Sequence, residues 1–201
     1  MKKISAPTRK RLVILSRILS QLGKKRVTSV ELSSITGWSE ATIRRDISAL
    51  ELHSGLSNGY DPMALHDAIC SAFNIAAAGE RKRCCIVGLG KLGSALLESA
   101  FEGSGFELVA GFDSNVNKIE IMDSPVPLFA TLDLERKIRS LKIEYAVLSV
   151  PDEKAQLMAD RLASYGIKGI VNYTNIMLSL PKGVRVENVN TVIVLTNMLS
   201  E

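Results

Sequence analysis

Cys84-Cys85-Ile86-Val87-Gly88-Leu89-Gly90-Lys91-Leu92-Gly93, continued by Ser94-Ala95-Leu96-Leu97, decides the fold. Cys84 to Val87 is a short apolar run of the kind that forms a buried parallel strand. It breaks at Gly88, after which Leu92, Leu96 and Leu97 resume apolar spacing at helical period. Gly88, Gly90 and Gly93 fit G-x-G-x-x-G. The first glycine permits the tight turn, the second lets a pyrophosphate approach the backbone, and the third lets helix and strand pack closely. The helix N-terminus adds unpaired N–H groups and a partial positive charge. A second apolar strand, Leu108 to Phe112, ends in Asp113, 20 residues past Gly93. A carboxylate there hydrogen-bonds the ribose of NAD and repels the 2′-phosphate of NADP. A strand–turn–helix that merely needs glycines is the plainer alternative. The spacing of Asp113 favours a dinucleotide site.

Beyond Asp113, strands and helices alternate. Ile119–Ile121 and Pro125–Ala130 read as an extended excursion, residues 131–141 as a helix and Tyr145 to Val150 as a buried strand. Pro151-Asp152 then opens a helix over residues 153–164, and Lys168 to Asn172 is the next strand. Such alternation gives a mainly parallel sheet with its ligand at the carboxyl ends of the strands. The cofactor-binding candidates are therefore Gly88, Leu89, Gly90, Lys91, Leu92, Gly93, Asp113, Val150, Pro151 and Asn172. Val150, Pro151 and Asn172 can equally be ordinary strand-ending residues. The apolar stretch from Val189 on is ambiguous: Val192, Ile193 and Val194 favour a strand, yet Val192, Leu195 and Leu199 share a helical face. An exposed apolar tail needs cover from its own domain or a partner subunit.

Charge separates the chain into two parts. Residues 1–83 carry 14 Lys+Arg against 7 Asp+Glu, and the remainder 11 against 14. Only the first part suits a polyanion. It opens with a helix from Ser5 to Leu22 that buries Leu12, Leu15, Ile18, Leu19 and Leu22 and sets Arg9, Lys10, Arg11 and Arg17 on its other faces. Thr28 with Glu31 forms a capping box. Gly37 ends that short helix, and Ser39 caps a second one over residues 40–51. Ile43, Ile47 and Leu50 share its inner face, while Ala41, Arg44, Arg45 and Ser48 lie opposite. This is helix–turn–helix spacing, with an outward surface suited to a DNA major groove. Arg9, Lys10, Ser39, Thr42, Arg44, Arg45 and Ser48 are the DNA-binding candidates. A plain three-helix bundle with a basic surface is the alternative. Asn58-Gly59 favours a tight hairpin, a wing directly after the recognition helix. Asp61-Pro62 opens a further helix to Phe73, and the boundary falls at Glu80-Arg81-Lys82-Arg83.

The fold class is thus α/β, an N-terminal winged helix-turn-helix domain (1–80) followed by a C-terminal Rossmann domain (81–188) and a terminal segment (189–201). Three cysteines, two adjacent, make neither a disulfide framework nor zinc spacing, so no metal is expected. Met1-Lys2-Lys3 leads into a charged stretch and no run approaches a membrane span, which predicts a cytoplasmic protein with no membrane partner.

In this order and size, the two domains resemble the Rex redox-sensing transcriptional repressors. The resemblance is carried by Ile43-Arg44-Arg45-Asp46-Ile47-Ser48 and Gly59-Tyr60 in the first domain. In the second it is carried by Gly88 to Leu96, Phe112-Asp113, Ser149-Val150-Pro151 and Ile167-Lys168-Gly169-Ile170-Val171-Asn172. It implies a homodimer with exchanged C-terminal helices, bound to a palindromic operator as apo or NAD-loaded protein and released by NADH. The family's Phe-Gly after the recognition helix and Arg-Gly in the wing correspond here to Leu50-Glu51 and Leu56-Ser57. The resemblance also implies an interdomain switch. Arg17 matches its arginine, Asn190 stands where the family has a carboxylate, and Ser99 where it has a tyrosine. A repressor that holds NAD only as a structural cofactor therefore stays open. An NAD-dependent dehydrogenase is the weaker alternative. Both histidines, His53 and His66, fall in the first domain, and no catalytic His–carboxylate pair follows residue 84.

Overall fold

A computed structural model of the chain describes residues 4–50, 59–73, 75, 81–98, 101 and 104–199. The chain divides into two compact units, Met1–Glu80 and Arg81–Glu201. Among the described residues the first holds four helices: α1 (Ala6–Leu19), α2 (Ser29–Thr36), α3 (Glu40–Ser48) and α4 (Pro62–Phe73). Their apolar stripes meet in one core built on Leu12, Leu15, Leu19, Val27, Leu32, Ile43, Ile47, Leu65 and Ile69. α1 stops at Leu19, one turn short of the periodic pattern, with Ser20 as its cap. Leu22 still packs on the core from beyond the helix end.

The Thr28–Glu31 capping box forms in full: each residue's side chain accepts the other's backbone N–H. Gly37 ends α2 in the left-handed conformation, at φ +72°. Lys24 bonds Glu31 at 2.8 Å, and together with the Thr28 backbone and hydroxyl it lowers the Glu31 carboxyl to about 2. Because this value lies below that of the unfolded chain, the cap's contribution is complete above the unfolded value and is lost as pH falls through about 2. Acid unfolding of Glu31→Gln, followed by circular dichroism, is expected to lose that part of the pH dependence.

Of the wing, residues 51–58 lie outside the described residues. Its closing end is visible as a two-way bridge, with Val27 N–H on Tyr60 O at 2.9 Å and Tyr60 N–H on Val27 O at 2.8 Å.

The second unit is a six-stranded sheet in the order β3-β2-β1-β4-β5-β6, parallel at every pairing. The strands are β1 (Lys82–Val87), β2 (Phe106–Asp113), β3 (Leu128–Ala130), β4 (Tyr145–Leu148), β5 (Gly169–Asn172) and β6 (Arg185–Asn188). They alternate with α5 (Lys91–Leu97), α6 (Val116–Ile121), α7 (Leu134–Ser140) and α8 (Asp152–Ser164), and α9 (Thr191–Met198) follows β6. This is the order of a dinucleotide-binding Rossmann sheet. Cys85, Val87, Phe112, Leu148 and Ile170 bury their side chains in its larger core with Leu134, Ile138, Ala159 and Leu162 from the helices. Burial pushes the Cys84 thiol up to about 12 and raises Cys85 as well, so both stay protonated and pack as small apolar groups.

Two expectations are corrected and one open alternative is decided. Ile119–Ile121 is not extended but the end of α6, because the Asn115 side chain caps that helix by accepting the Lys118 N–H. The helix expected over residues 131–141 starts as a 3-10 turn, Thr131–Asp133, and becomes α7 only at Leu134. The β-branched run Val192-Ile193-Val194 lies in α9, not in a strand. Asn190 Oδ1 accepts the N–H groups of Val192 and Ile193 at 2.9 and 3.2 Å and starts the helix there.

Candidate dinucleotide cavity and DNA-facing helix

With all strands parallel, Val87, Asp113 and Leu148 end at one edge of the sheet. The chain after β1 turns sharply there. Gly88 sits at φ +91°, and a Cβ on it would meet Ser149 O at 2.5 Å. Gly93, buried in the first turn of α5, packs so close that a Cβ would lie 1.9 Å from Gly88 O. Gly90 differs: its φ of −62° suits any residue, and a Cβ there would meet nothing within 4 Å. The protein's own packing therefore gives no reason for a glycine at 90. The open space it leaves faces a cavity of about 430 Å³, and this is the fit expected for an approaching pyrophosphate.

Gly88, Gly90, Lys91, Leu92, Asp113, Val150 and Pro151 line the cavity, so seven of the ten sequence candidates converge on it. Leu89 and Gly93 stand behind the wall, Leu89 with its side chain fully buried. Asn172 does not line it. Its amide is wholly buried, with Nδ2 donating to Ile176 O and Asn188 Oδ1 and Oδ1 accepting from Thr174 N–H and hydroxyl. It fastens the chain after β5 to β6.

Asp113 has a second role that spacing did not reveal. Its Oδ2 accepts the Leu89 N–H at 2.8 Å and its Oδ1 the Asn115 N–H at 2.9 Å, so it ties the glycine turn to the end of β2. A carboxylate has about four acceptor positions, which leaves capacity for ribose hydroxyls. The Lys118 ammonium lies 3.9 Å from Oδ2 and donates to Leu89 O, closing the clamp from α6. Ser149 donates to Gly88 O at 2.7 Å and fixes the turn from the β4 side. Lys118, Ser149, Ser114, Thr131, Lys154 and Met158 are the lining residues that sequence reasoning missed. Lys118 was accessible in principle, through recognition of Asn115 as a helix cap.

In the first unit, Gly37-Trp38-Ser39 joins α2 to α3, and Ser33 donates to Trp38 O at 2.7 Å to brace the turn. Ser39 caps α3 by accepting the Thr42 N–H, and its hydroxyl shares a 2.9 Å bond with that of Thr42. Arg45 and Ser48 are exposed on α3, the latter donating to Arg44 O. Arg44, also exposed on α3, donates to Ser29 Oγ at 2.9 Å and to Glu40 Oε2 at 2.6 Å. Arg9 lies 4.9 Å over the Phe73 ring, and Lys10 is exposed on α1. Among the described residues no group of three or more His, Cys, Asp or Glu side chains is placed to hold a metal. No helix among them is long and apolar enough to cross a membrane.

A family model described as "CoA binding domain" matches residues 79–176, and one described as "Putative DNA-binding protein N-terminus" matches residues 3–48. The redox-sensing transcriptional repressor Rex of Limosilactobacillus reuteri is 36% identical over 203 residues, covering 98% of this chain and 91% of its own length. The chain belongs to the Rex family. Rex of Leuconostoc citreum matches at 36% over 201 residues, 98% of this chain and 90% of its own. RSP, a Rex-family repressor of known structure, superposes with a TM-score of 0.84 at 30% identity, over 99% of this chain and 93% of RSP. RSP in complex with β-NAD+ and operator DNA gives 0.87, over 99% and 92% of the two chains. Rex proteins are named as repressors and not as enzymes, and the dehydrogenase alternative falls with that.

Of the three switch positions implied by the Rex resemblance, Ser99 lies outside the described residues. Arg17 is exposed on α1. Asn190 is committed twice, as the α9 cap and as a donor to Asn175 Oδ1 at 3.0 Å. Asn175 in turn donates from both backbone and amide to Asp152, lowering that carboxyl below its usual range.

Proposed function

We propose that this Rex-family chain is a transcriptional repressor that binds a palindromic operator as a homodimer and answers to the NADH/NAD ratio. The observation that carries the reading is the conjunction, in one chain, of a basic helix–turn–helix and a glycine-turn cavity with room left over Gly90. RSP, solved with β-NAD+ and operator DNA and again with β-NADH, has the same architecture over nearly its whole length. Arg45, Thr42 and Ser48 on α3, with Ser39 and Arg44 beside them, would face the major groove, and Arg9 and Lys10 the backbone phosphates. Gly88 to Lys91 would cradle the pyrophosphate and Asp113 the adenosine ribose. When bound, the nicotinamide supplies only its redox state, a ring that is charged in NAD and neutral in NADH.

The homodimer rests on α9. Val192, Ile193, Val194, Leu195, Met198 and Leu199 are each 53–88% exposed, and no α9 residue is buried. An eight-residue helix is marginal in water without packing, so a second copy of the chain is its natural cover. Two copies would read half-sites about 34–36 Å apart.

The repressor responds to redox state only if its DNA-releasing conformation binds NADH better than its DNA-bound one does. Operator binding at fixed salt, titrated separately with the two nucleotides, is expected to weaken with NADH and to hold with NAD. Sedimentation of the same sample is expected to give a two-chain mass. The second reading, a structural NAD, draws on the commitment of Asn190 to the α9 cap; it predicts equal, flat curves, and that result would remove the sensing claim.

A further inference from the structure

Four charged side chains line the cavity: Lys91, Asp113, Lys118 and Lys154. Two of them pair, Lys118 with Asp113. Lys91 opens α5, where the pyrophosphate is expected. Lys154 stands apart from this group. It lies in the first turn of α8, and its backbone N–H bonds Pro151 O at 2.9 Å. Its side chain has no hydrogen-bond or ion-pair partner among the described residues. Of the two acids on the same turn, Glu153 directly precedes Lys154 but forms no ion pair with it, and Asp152 directs both oxygens to Asn175.

The strand order tells which half of a dinucleotide this cation faces. β1 is flanked by β2 on one side and β4 on the other. A dinucleotide crosses this switch point with its adenosine over the acidic end of β2, so its other half lies toward β4 and α8. That half carries the redox chemistry: oxidised nicotinamide bears a positive charge, reduced nicotinamide none.

Resting on the dinucleotide reading above, we propose that Lys154 is a specificity-determining residue of the cavity, an unneutralised cation at the nicotinamide end that disfavours NAD relative to NADH by charge repulsion. This discrimination needs no carboxylate at position 190. Its distinguishing property is that the pyrophosphate is common to both nucleotides. Long-range attraction of Lys154 for the phosphates therefore cancels in the ratio of the two affinities, and only its effect on the ring survives.

The experiment is calorimetric titration of NADH, NAD and ADP-ribose into the full-length parent and into Lys154→Met, Lys154→Arg and Lys154→Glu, at low and at raised ionic strength. Lys154→Met is expected to lower the ratio Kd(NAD)/Kd(NADH) about fivefold at low salt, the order set by an exposed charge pair. Lys154→Glu should lower it further and Lys154→Arg restore it, with the difference shrinking as salt is added. ADP-ribose, which lacks the ring, should follow NADH across the series. Equal changes in all three ligands would overturn the proposal and make Lys154 a phosphate contact. So would an unchanged ratio in Lys154→Met and Lys154→Glu. If the parent takes up none of the three ligands, the dinucleotide reading itself fails, an outcome visible before any variant is made.

Discussion

Gly93→Ala is expected to destabilise the second unit by about 3 kcal/mol and to abolish measurable NADH binding. The added methyl group would stand 1.9 Å from Gly88 O and 2.8 Å from Ser149 Oγ, the two atoms whose mutual hydrogen bond holds the glycine turn against β4. Neither can yield without cost. Gly88 is backbone in a left-handed turn, and its N–H is tied to Phe112 O at 2.8 Å. Displacement of the turn also pulls the Leu89 N–H from Asp113, so the cradle and the ribose carboxylate would be lost together. Gly90→Ala separates binding from folding. Its Cβ meets no protein atom, and stability should change by less than about 1 kcal/mol, the usual cost of replacing glycine at a helix cap. NADH affinity should nonetheless fall roughly a hundredfold, because the methyl occupies the open approach to the backbone. Thermal melting and NADH titration of the two variants check this. A Gly90→Ala protein that binds NADH like the parent would mean that the cavity takes its ligand elsewhere.

What the sequence made legible is what depends on near neighbours. The glycine turn, the Thr28–Glu31 box and the Ser39 cap are each determined within a few residues, and each is found where the pattern places it. Features that depend on register or on distant partners were not legible. Lys154 and Met158 reach the cavity because of how α8 seats on the sheet, and no local spacing encodes that. Asn172 ends its strand as expected, yet its partners Ile176 and Asn188 turn it into a fastener. In α9, three β-branched residues in a row argue for a strand, and a single capping asparagine with the following turn decides otherwise. Arg44, exposed on α3, also donates to Ser29, which lies 15 residues away on another helix, a contact that no local spacing encodes.

The same blindness to distance concealed the contact that sets the recognition helix. Asp46, within the Ile43–Ser48 segment, is only 3% exposed and accepts from Arg11 of α1 at 2.5 Å from Nε and 2.9 Å from Nη2. This fork-to-carboxylate pair, 35 residues apart in sequence, fixes the rotation of α3 about its axis against α1. It also raises the Arg11 guanidinium above its ordinary value. Asp46→Ala leaves the Arg11 guanidinium without its carboxylate and with only the long contact to the Thr8 hydroxyl, at 3.4 Å, among the described residues. Complete burial of an unpaired charge costs about 3–5 kcal/mol; Arg11 keeps 29% of its side-chain surface, so a loss of about 2 kcal/mol is expected. Operator affinity should drop more than tenfold even though Asp46 faces inward, because Arg45 and Ser48 would no longer be presented at a fixed angle. Arg11→Met is expected to be the more damaging to stability of the two single changes, since it leaves the nearly buried carboxylate unpaired. The double variant should be less destabilised than the two losses added together, with a coupling of at least about 1 kcal/mol. Denaturant unfolding of the four proteins, followed by operator titration at one salt concentration, measures both effects. Additive losses would show that α3 is held by its apolar face alone, through Ile43 and Ile47, and that the ion pair does not orient it.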